Sequence, residues 1–427
     1  MKLRPYQERA IADVRASYAS GHRAPCVVAP TGSGKTILAS EVIRLCLQRR
    51  RRVLFNVHRE ELMDQSAEKL ARAGITDIRI IKAARDFNSQ APVTIASVQT
   101  LTRWANERLP DVGLCLFDEC HHVKARTWLK IADAYRQAWL LGLTATPERA
   151  DGSPLGDVFD DLIVVASVSE LTELGHLVPC RIWAPPTLLE TGEIAVPPVD
   201  AYRTHGEDGK AIAFCSTLER ASAVADEFNA AGITAAVIHG DVSSEMRRQL
   251  LSWFRDGQLR ILVSVHVLTE GFDEPSASVC ILERKPAHAG TYLQMVGRVI
   301  RPSPGKTHAT LIDLCGSSLV HGTPAMERKY ALNGKAISKP DRDSIRQCPT
   351  CGGVFLFVDI VDGCCPQCGV ALPRRVTKPP RVVNVGLTDA TGTDQLKINL
   401  IAAARRTRRS SEWVERAHAA ITGRRAS

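Results

Sequence analysis

From residue 25 to residue 143, short runs of Val, Ile and Leu alternate with longer amphipathic stretches: "CVVA", "TILASEVIRLCLQ", "RVLFNV", "EELMDQSAEKLARA", "VTIAS", "VGLCLFD" and "LLGLTA". The short runs are apolar throughout, without the alternation of a strand that has one wet face. They predict strands covered on both sides, and the amphipathic stretches between them predict the covering helices. Strand and helix in turn predict an α/β, doubly wound parallel sheet. The alternation begins again after residue 210, from "AIAFC" and "LERASAVADEFNAAG" to "YLQMVGRVI" and "ATLIDL". Two lobes are therefore expected, residues 1–178 and 210–325. Residues 179–209 are rich in Pro and turn residues and predict a linker. After residue 325 the pattern decays into a Cys-containing segment, 340–373, and a tail, 374–427, expected to be partly helical or disordered.

Charge adds a direction to this outline. The chain has 55 Lys and Arg against 46 Asp and Glu, a formal net charge of +9, which favours polyanionic partners. Residues 371–427 contain 12 basic against 4 acidic residues, so nearly all the excess lies in the tail. Its run "AAARRTRRSSEWVERAHAAI", with Ser410 or Ser411 as a helix N-cap, suits phosphate-backbone contact or a solvated end. No window approaches 18 uninterrupted apolar residues and the N-terminal "MKLRPYQERAIADVRASY" has no apolar core, so a cytoplasmic protein without membrane association is expected. Nine of the 13 Cys are scattered singly, as Cys26, Cys46, Cys115 and Cys280 are, and read as reduced buried thiols.

The chemistry starts at "APTGSGKT", residues 29–36, between a predicted strand and a predicted helix. That context suits a phosphate-binding loop: Thr31, Gly32, Ser33 and Gly34 present backbone N–H groups, Lys35 reaches the β and γ phosphates of ATP, and Thr36 offers a hydroxyl to Mg²⁺. Ala29 stands where the strict pattern has Gly. Such a loop needs a carboxylate at the end of a neighbouring apolar strand, and "LCLFDECHHV" supplies Asp118 for the Mg²⁺ and Glu119 to polarise water. A zinc site on Cys120, His121 and His122 is disfavoured, because consecutive residues on an extended segment point to alternate sides. His121 then serves to link the nucleotide site to the rest of the lobe.

With these motifs in place the chain resembles the superfamily 2 helicases and translocases of the DEAD/DEAH type, with a D-E-C-H box, over about residues 2–320. The resemblance implies two RecA-like lobes and assigns further roles. Gln7 of "LRPYQ" reads the adenine edge; Thr144 and Thr146 of "LTATP" couple hydrolysis to movement; "VHREEL" and "SVQTL" grip a strand. Gly271 and Asp273 of "SVHVLTEGFDEP" lie near ribose and nucleic acid, and Gln294, Arg298 and Arg301 belong to "QMVGRVIR". A guanidinium from a second body can stabilise charge on the γ-phosphate, and two arginines one helical turn apart can both face a cleft. The set "LRPYQ", "DECHH", "ELGHLVP" and "TEGFDEP" looks most like the XPB-like and restriction-translocase branch, which implies DNA as partner ahead of RNA. An RNA helicase, or a nucleic-acid clamp switched by ATP, are the alternatives.

Finally, "CPTC" at 348–351 and "CPQC" at 365–368 form C-x2-C-x13-C-x2-C, each pair followed by Gly. Cys348, Cys351, Cys365 and Cys368 at this spacing predict a closed structural Zn²⁺ ribbon, with Cys364 a competitor for the third position. The C-terminal quarter is expected to be separable from the ATPase body.

Overall fold

A computed structural model of the chain describes residues 3–58, 60–82, 90–104, 109–122, 125–149, 155–190, 192–265, 267–268, 273–333, 345–373 and 414. Helix α1 (Pro5–Ala19) precedes β1 (Pro25–Val28), α2 (Lys35–Gln48), β2 (Val53–Val57), α3 (Glu61–Arg72), β3 (Ile78–Ile81) and β4 (Val93–Ser97). Then come α4 (Val98–Trp104), β5 (Leu114–Phe117), a 3-10 turn at Cys120–His122, α5 (Ala125–Ala134), β6 (Trp139–Thr144), β7 (Asp161–Val164) and α6 (Val168–Glu173). The seven strands form a parallel sheet in the order β3-β4-β2-β5-β6-β1-β7. Every residue of β1, β2, β4 and β5 is buried, as two-sided covering requires. The edge strands β3 and β7, "IRII" and "DLIV", are partly exposed and each includes a charged residue, and neither is among the strands expected from the sequence.

Register decides where the chemistry lands. Cys26 of β1 and Phe117 of β5 both pair with Gly142 of β6, and Val28 pairs with Thr144. The loop after β1, the acidic box after β5 and "LTATP" at the end of β6 therefore leave the sheet along one carboxyl edge, where open α/β sheets bind ligands.

The second sheet differs from expectation at both ends. The segment expected as a linker contributes β8 (Cys180–Trp183) and α7 (Pro198–His205). They are followed by β9 (Ala211–Phe214), α8 (Leu218–Ala230), β10 (Ala235–Ile238), α9 (Ser244–Arg255), β11 (Ile261–Ser264), β12 (Val279–Leu282), α10 (Ala289–Val296), β13 (Ala309–Asp313) and α11 (Ser317–His321). The Cys-containing segment adds β14 (Ile345–Gln347) and β15 (Gly353–Leu356), giving an eight-stranded order β10-β11-β9-β12-β13-β8-β15-β14. β8 is parallel to β13, whereas β15 pairs antiparallel with β8 and with β14. The side chains of Gln347 and Gln367 reinforce that join, donating to Ala184 O at 2.7 Å and to Ile182 O at 3.4 Å. The segment is thus not a separate body: it covers the edge of β8, whose N–H and C=O groups would otherwise be unpaired.

Helices α6, α8 and α9 start where side-chain caps predict, with Ser167, Thr217 and Ser243 accepting from the backbone N–H three residues on. One cluster of buried apolar side chains extends from the first sheet into the second, through Leu177, Val178, Val299 and Ile300 among others. The chain after α11 returns to the first sheet, where Gly156 N–H donates to Leu332 O at 2.9 Å. Among the described residues no helix is long and apolar enough to cross a membrane.

Candidate active site between the two sheets

The loop after β1 holds its shape through two glycines in the left-handed region, Gly32 at φ +91° and Gly34 at φ +88°. A Cβ on Gly34 would lie 2.5 Å from Gln7 Nε2 and one on Gly32 2.8 Å from Leu177 Cδ2, so neither position admits a side chain as packed. Gly34 is the N-cap of α2, which aims the helix's unpaired N–H groups at the loop cavity and makes an anion site. Ser33 O accepts from Tyr6 OH at 2.9 Å and from Gln7 Nε2 at 3.0 Å, and Gln7 Oε1 accepts from Arg4 N–H at 3.0 Å. Gln7 thus fastens α1 to the loop.

At the end of β5 the backbone turns sharply. Glu119 takes φ +46°, a costly conformation for a residue with a side chain, and this turn sends its neighbours in different directions. Cys120 is fully buried under the sheet, its Sγ 3.8 Å from Cys26 Sγ. His121 faces the second sheet, while His122 stacks on His58 with ring centroids 4.7 Å apart. The ring centroids of His121 and His122 lie 4.0 Å apart, but Cys120 points away from them, and the three form no cluster of potential metal ligands among the described residues. The Glu119 carboxylate contacts the Lys35 ammonium, both side chains about 15% exposed. Asp118 has its carboxyl pushed up to about 6, by burial first and then by Glu119, against the pull of Lys35 and Lys69. Two crowded carboxylates that share a cavity with Thr36, one of them reluctant to ionise, form a hard-oxygen set that fits a Mg²⁺ ion.

The second sheet supplies the opposite wall. α10 ends at Val296, so Arg298 and Arg301 lie in the turns after the helix instead of on its face as expected. They still reach the cleft: a cavity of about 460 Å³ is bounded by Lys35, Asp118 and Glu119 on one side and by Asp273, Arg298 and Arg301 on the other. Arg301 is ion-paired with Asp273. Gly297 comes so close to the loop that a Cβ there would lie 2.5 Å from Thr31 Cβ, and a Cβ on Gly290 would lie 2.6 Å from Thr146 Oγ1. Gly271 lies outside the described residues, as do Arg59 of "VHREEL" and all of the tail but Val414.

A chain of buried hydrogen bonds joins the two walls. Gln294 Nε2 donates to His121 Nε2 at 3.0 Å, His121 Nδ1–H donates to Thr144 Oγ1 at 2.8 Å, and the Thr144 hydroxyl donates to Thr146 O at 2.6 Å. A neutral imidazole with its proton on Nδ1 serves all three links. Three motifs distant in sequence are thereby brought together. Sequence reasoning missed the contribution of α3, whose Gln65, Ser66, Lys69 and Arg72 form part of the cavity wall. The available signal was its position: a helix with one polar face, following a central strand that ends at the same edge.

At the far end of the second sheet, the Sγ atoms of Cys348, Cys351, Cys365 and Cys368 all lie within 4.8 Å of one another, the one such cluster of potential metal ligands among the described residues. Cys364 is not part of it; its Sγ lies 3.7 Å from Asp362 O. Four converging thiols fit a tetrahedral Zn²⁺.

Comparison with known proteins agrees with this architecture. The family model "Type III restriction enzyme, res subunit" matches residues 1–149, and "Helicase conserved C-terminal domain" matches residues 197–303. A 51.5 kDa protein of a Lactococcus phage is 29% identical over 77% of this chain and 75% of its own length. The mitochondrial ATP-dependent helicase irc3 of Schizosaccharomyces pombe is 28% identical over 80% of this chain and 64% of its own. The DNA 3'-5' helicase XPB of Kineococcus radiotolerans is 29% identical over 70% and 57%. The chain thus spans under two thirds of the two helicases' lengths. In fold it is similar to an HsdR subunit fragment of a type I restriction enzyme from Vibrio vulnificus, at a TM-score of 0.58 and 21% identity over 78% of this chain and 66% of that one. On its motif order, its two matched domains and these relatives, the chain belongs to superfamily 2 of the ATP-hydrolysing helicases, in the XPB-like and restriction-translocase type.

Proposed function

We propose that the chain is an ATP-dependent DNA helicase or translocase that hydrolyses ATP in the cleft between its two sheets. One observation carries this reading: Lys35, Asp118 and Glu119 of the first sheet share a single cavity with Arg298 and Arg301 of the second. The backbone N–H groups from Thr31 to Gly34 cradle phosphate, and Lys35 exchanges its contact with Glu119 for the β and γ phosphates. Thr36 and Asp118 would hold a Mg²⁺, which would supply positive charge against the phosphates. Glu119, released from Lys35, orients the attacking water and accepts its proton. Arg298 and Arg301 place positive charge where it builds on the γ-phosphate, and Asp273 holds Arg301 in readiness. The Gln294–His121–Thr144 chain makes closure of the cleft sensitive to what happens at Glu119, two residues before His121, so that hydrolysis is passed on as relative motion of the sheets.

DNA is favoured over RNA because relatives such as XPB are named DNA helicases. The basic tail adds phosphate contacts, and the Cys cluster holds a structural Zn²⁺. The nine cysteines outside that cluster, none of them disulfide-bonded, suit a reducing, intracellular setting. The test is steady-state ATP turnover of the full chain alone and with single-stranded DNA, duplex DNA and RNA. DNA should stimulate most; equal rates in all four conditions would refute a nucleic-acid motor, and strongest stimulation by RNA would make it an RNA helicase.

A further inference from the structure

None of the recognised motifs contains Lys69, yet α3 carries it into the wall of the ATP cleft. The apolar face of the helix, with Met63 and Leu70 fully buried, fixes that orientation. The Lys69 side chain is half-buried, and no hydrogen bond or ion pair holds its ammonium among the described residues. Burial depresses its pKa; Asp118 and Asp273 act the other way, and Arg298 and Arg301 add to the depression. The charged groups acting on it line the same cavity, together with Lys35 and Glu119. A half-desolvated cation set among two carboxylates and two guanidiniums, with no hydrogen bond or ion pair of its own among the described residues, gains from an anion that completes the site. Lys35, Lys69, Arg72, Arg298 and Arg301 face Asp118, Glu119 and Asp273 around the cavity, an excess of two positive charges that suits a polyanionic ligand.

We propose that Lys69 is a second γ-phosphate-binding lysine, carried by the same sheet as Lys35. This rests on the nucleotide reading of the cleft. Its location gives it a part distinct from that of the arginines. Being on the wall that carries the phosphate loop, Lys69 engages ATP whether or not the second sheet has closed, so it distinguishes ATP from ADP at the binding step. It also leaves a cation near the phosphate end when Lys35 is drawn toward Glu119.

The experiment titrates full-length wild type, Lys69→Gln, Lys69→Arg and Lys35→Ala with a non-hydrolysable ATP analogue and with ADP, both with Mg²⁺. Lys69→Gln should bind the ATP analogue about tenfold more weakly, equivalent to about 1.4 kcal/mol, while its ADP affinity changes less than about twofold. Retained ADP binding would show that the cleft is folded, and Lys69→Arg should keep most of the affinity for the ATP analogue. Equal loss for both nucleotides, or no loss for either, in a protein whose Lys35→Ala variant loses binding would overturn the role of Lys69 alone. A wild type that binds neither nucleotide, or a Lys35→Ala variant that binds as wild type does, would instead remove the nucleotide reading of the cleft and this proposal with it.

Discussion

Replacing Gln294 with Leu keeps the volume of the side chain and removes its amide. Gln294 is 4% exposed and His121 7%, so the hydrogen bond from the amide to His121 Nε2, 3.0 Å away, is lost where water does not readily replace it. Removing one partner of a buried hydrogen bond costs about 1–3 kcal/mol. Because the bond spans the two sheets, the cost falls on their closed arrangement and shifts that equilibrium by about 5- to 150-fold. Gln294 is absent from the wall of the phosphate cavity, so nucleotide affinity should hold. The assay is DNA-stimulated ATP turnover at saturating nucleotide, with His121→Ala and the double variant completing a cycle. The expected result is a kcat lower by about tenfold in Gln294→Leu, with a coupling of about 1 kcal/mol between the two positions. Effects that add within about 0.3 kcal/mol would show that the bond transmits nothing, and the coupling role of Gln294 and His121 would be lost.

Three further outcomes follow from the same geometry. Glu119→Gln should still bind ATP, while turnover measured by phosphate release drops at least about 10²-fold; near-normal turnover would remove Glu119 from the chemistry. The Asp118 carboxyl sits near 6 in the folded chain, above the roughly 3.9 of an unfolded one, so in metal-free buffer the folded state binds more protons and stability falls as pH rises from about 4 to 6. Asp118→Asn should then raise stability near pH 7 by on the order of 2 kcal/mol, a gain that shrinks toward pH 4 in denaturant titrations; a gain that does not change with pH would contradict the burial argument. Because β15 pairs with β8, stripping Zn²⁺ with a chelator or cutting the chain after residue 344 should lower the melting temperature of the ATPase body and promote aggregation through the bared edge. A truncated chain that melts as the intact one does would restore the view of a separable grip.

Local sequence determined what depends on neighbours in the chain: the alternation of buried strands with helices, the loop that needs Gly32 and Gly34 before α2, and the thiol pairs whose spacing presents four Cys to one ion. Each is a short-range constraint, visible in a few consecutive residues. Tertiary structure decided what depends on register and on which edges remain open. "CRIW" has one fully buried residue, Ile182, and no apolar run, so its place beside β13 follows from a free sheet edge and not from its own pattern. The same edge recruits β15 and makes the Cys segment part of the second sheet. Glu119 has nothing in its identity to announce a left-handed backbone, yet that turn is what separates Cys120 from His121 and turns His121 toward Gln294, 173 residues away. Lys69 could be read as one more solvated helix charge until the carboxyl ends of β1, β2 and β5 were brought to one edge, which made the polar face of α3 a wall of the cleft.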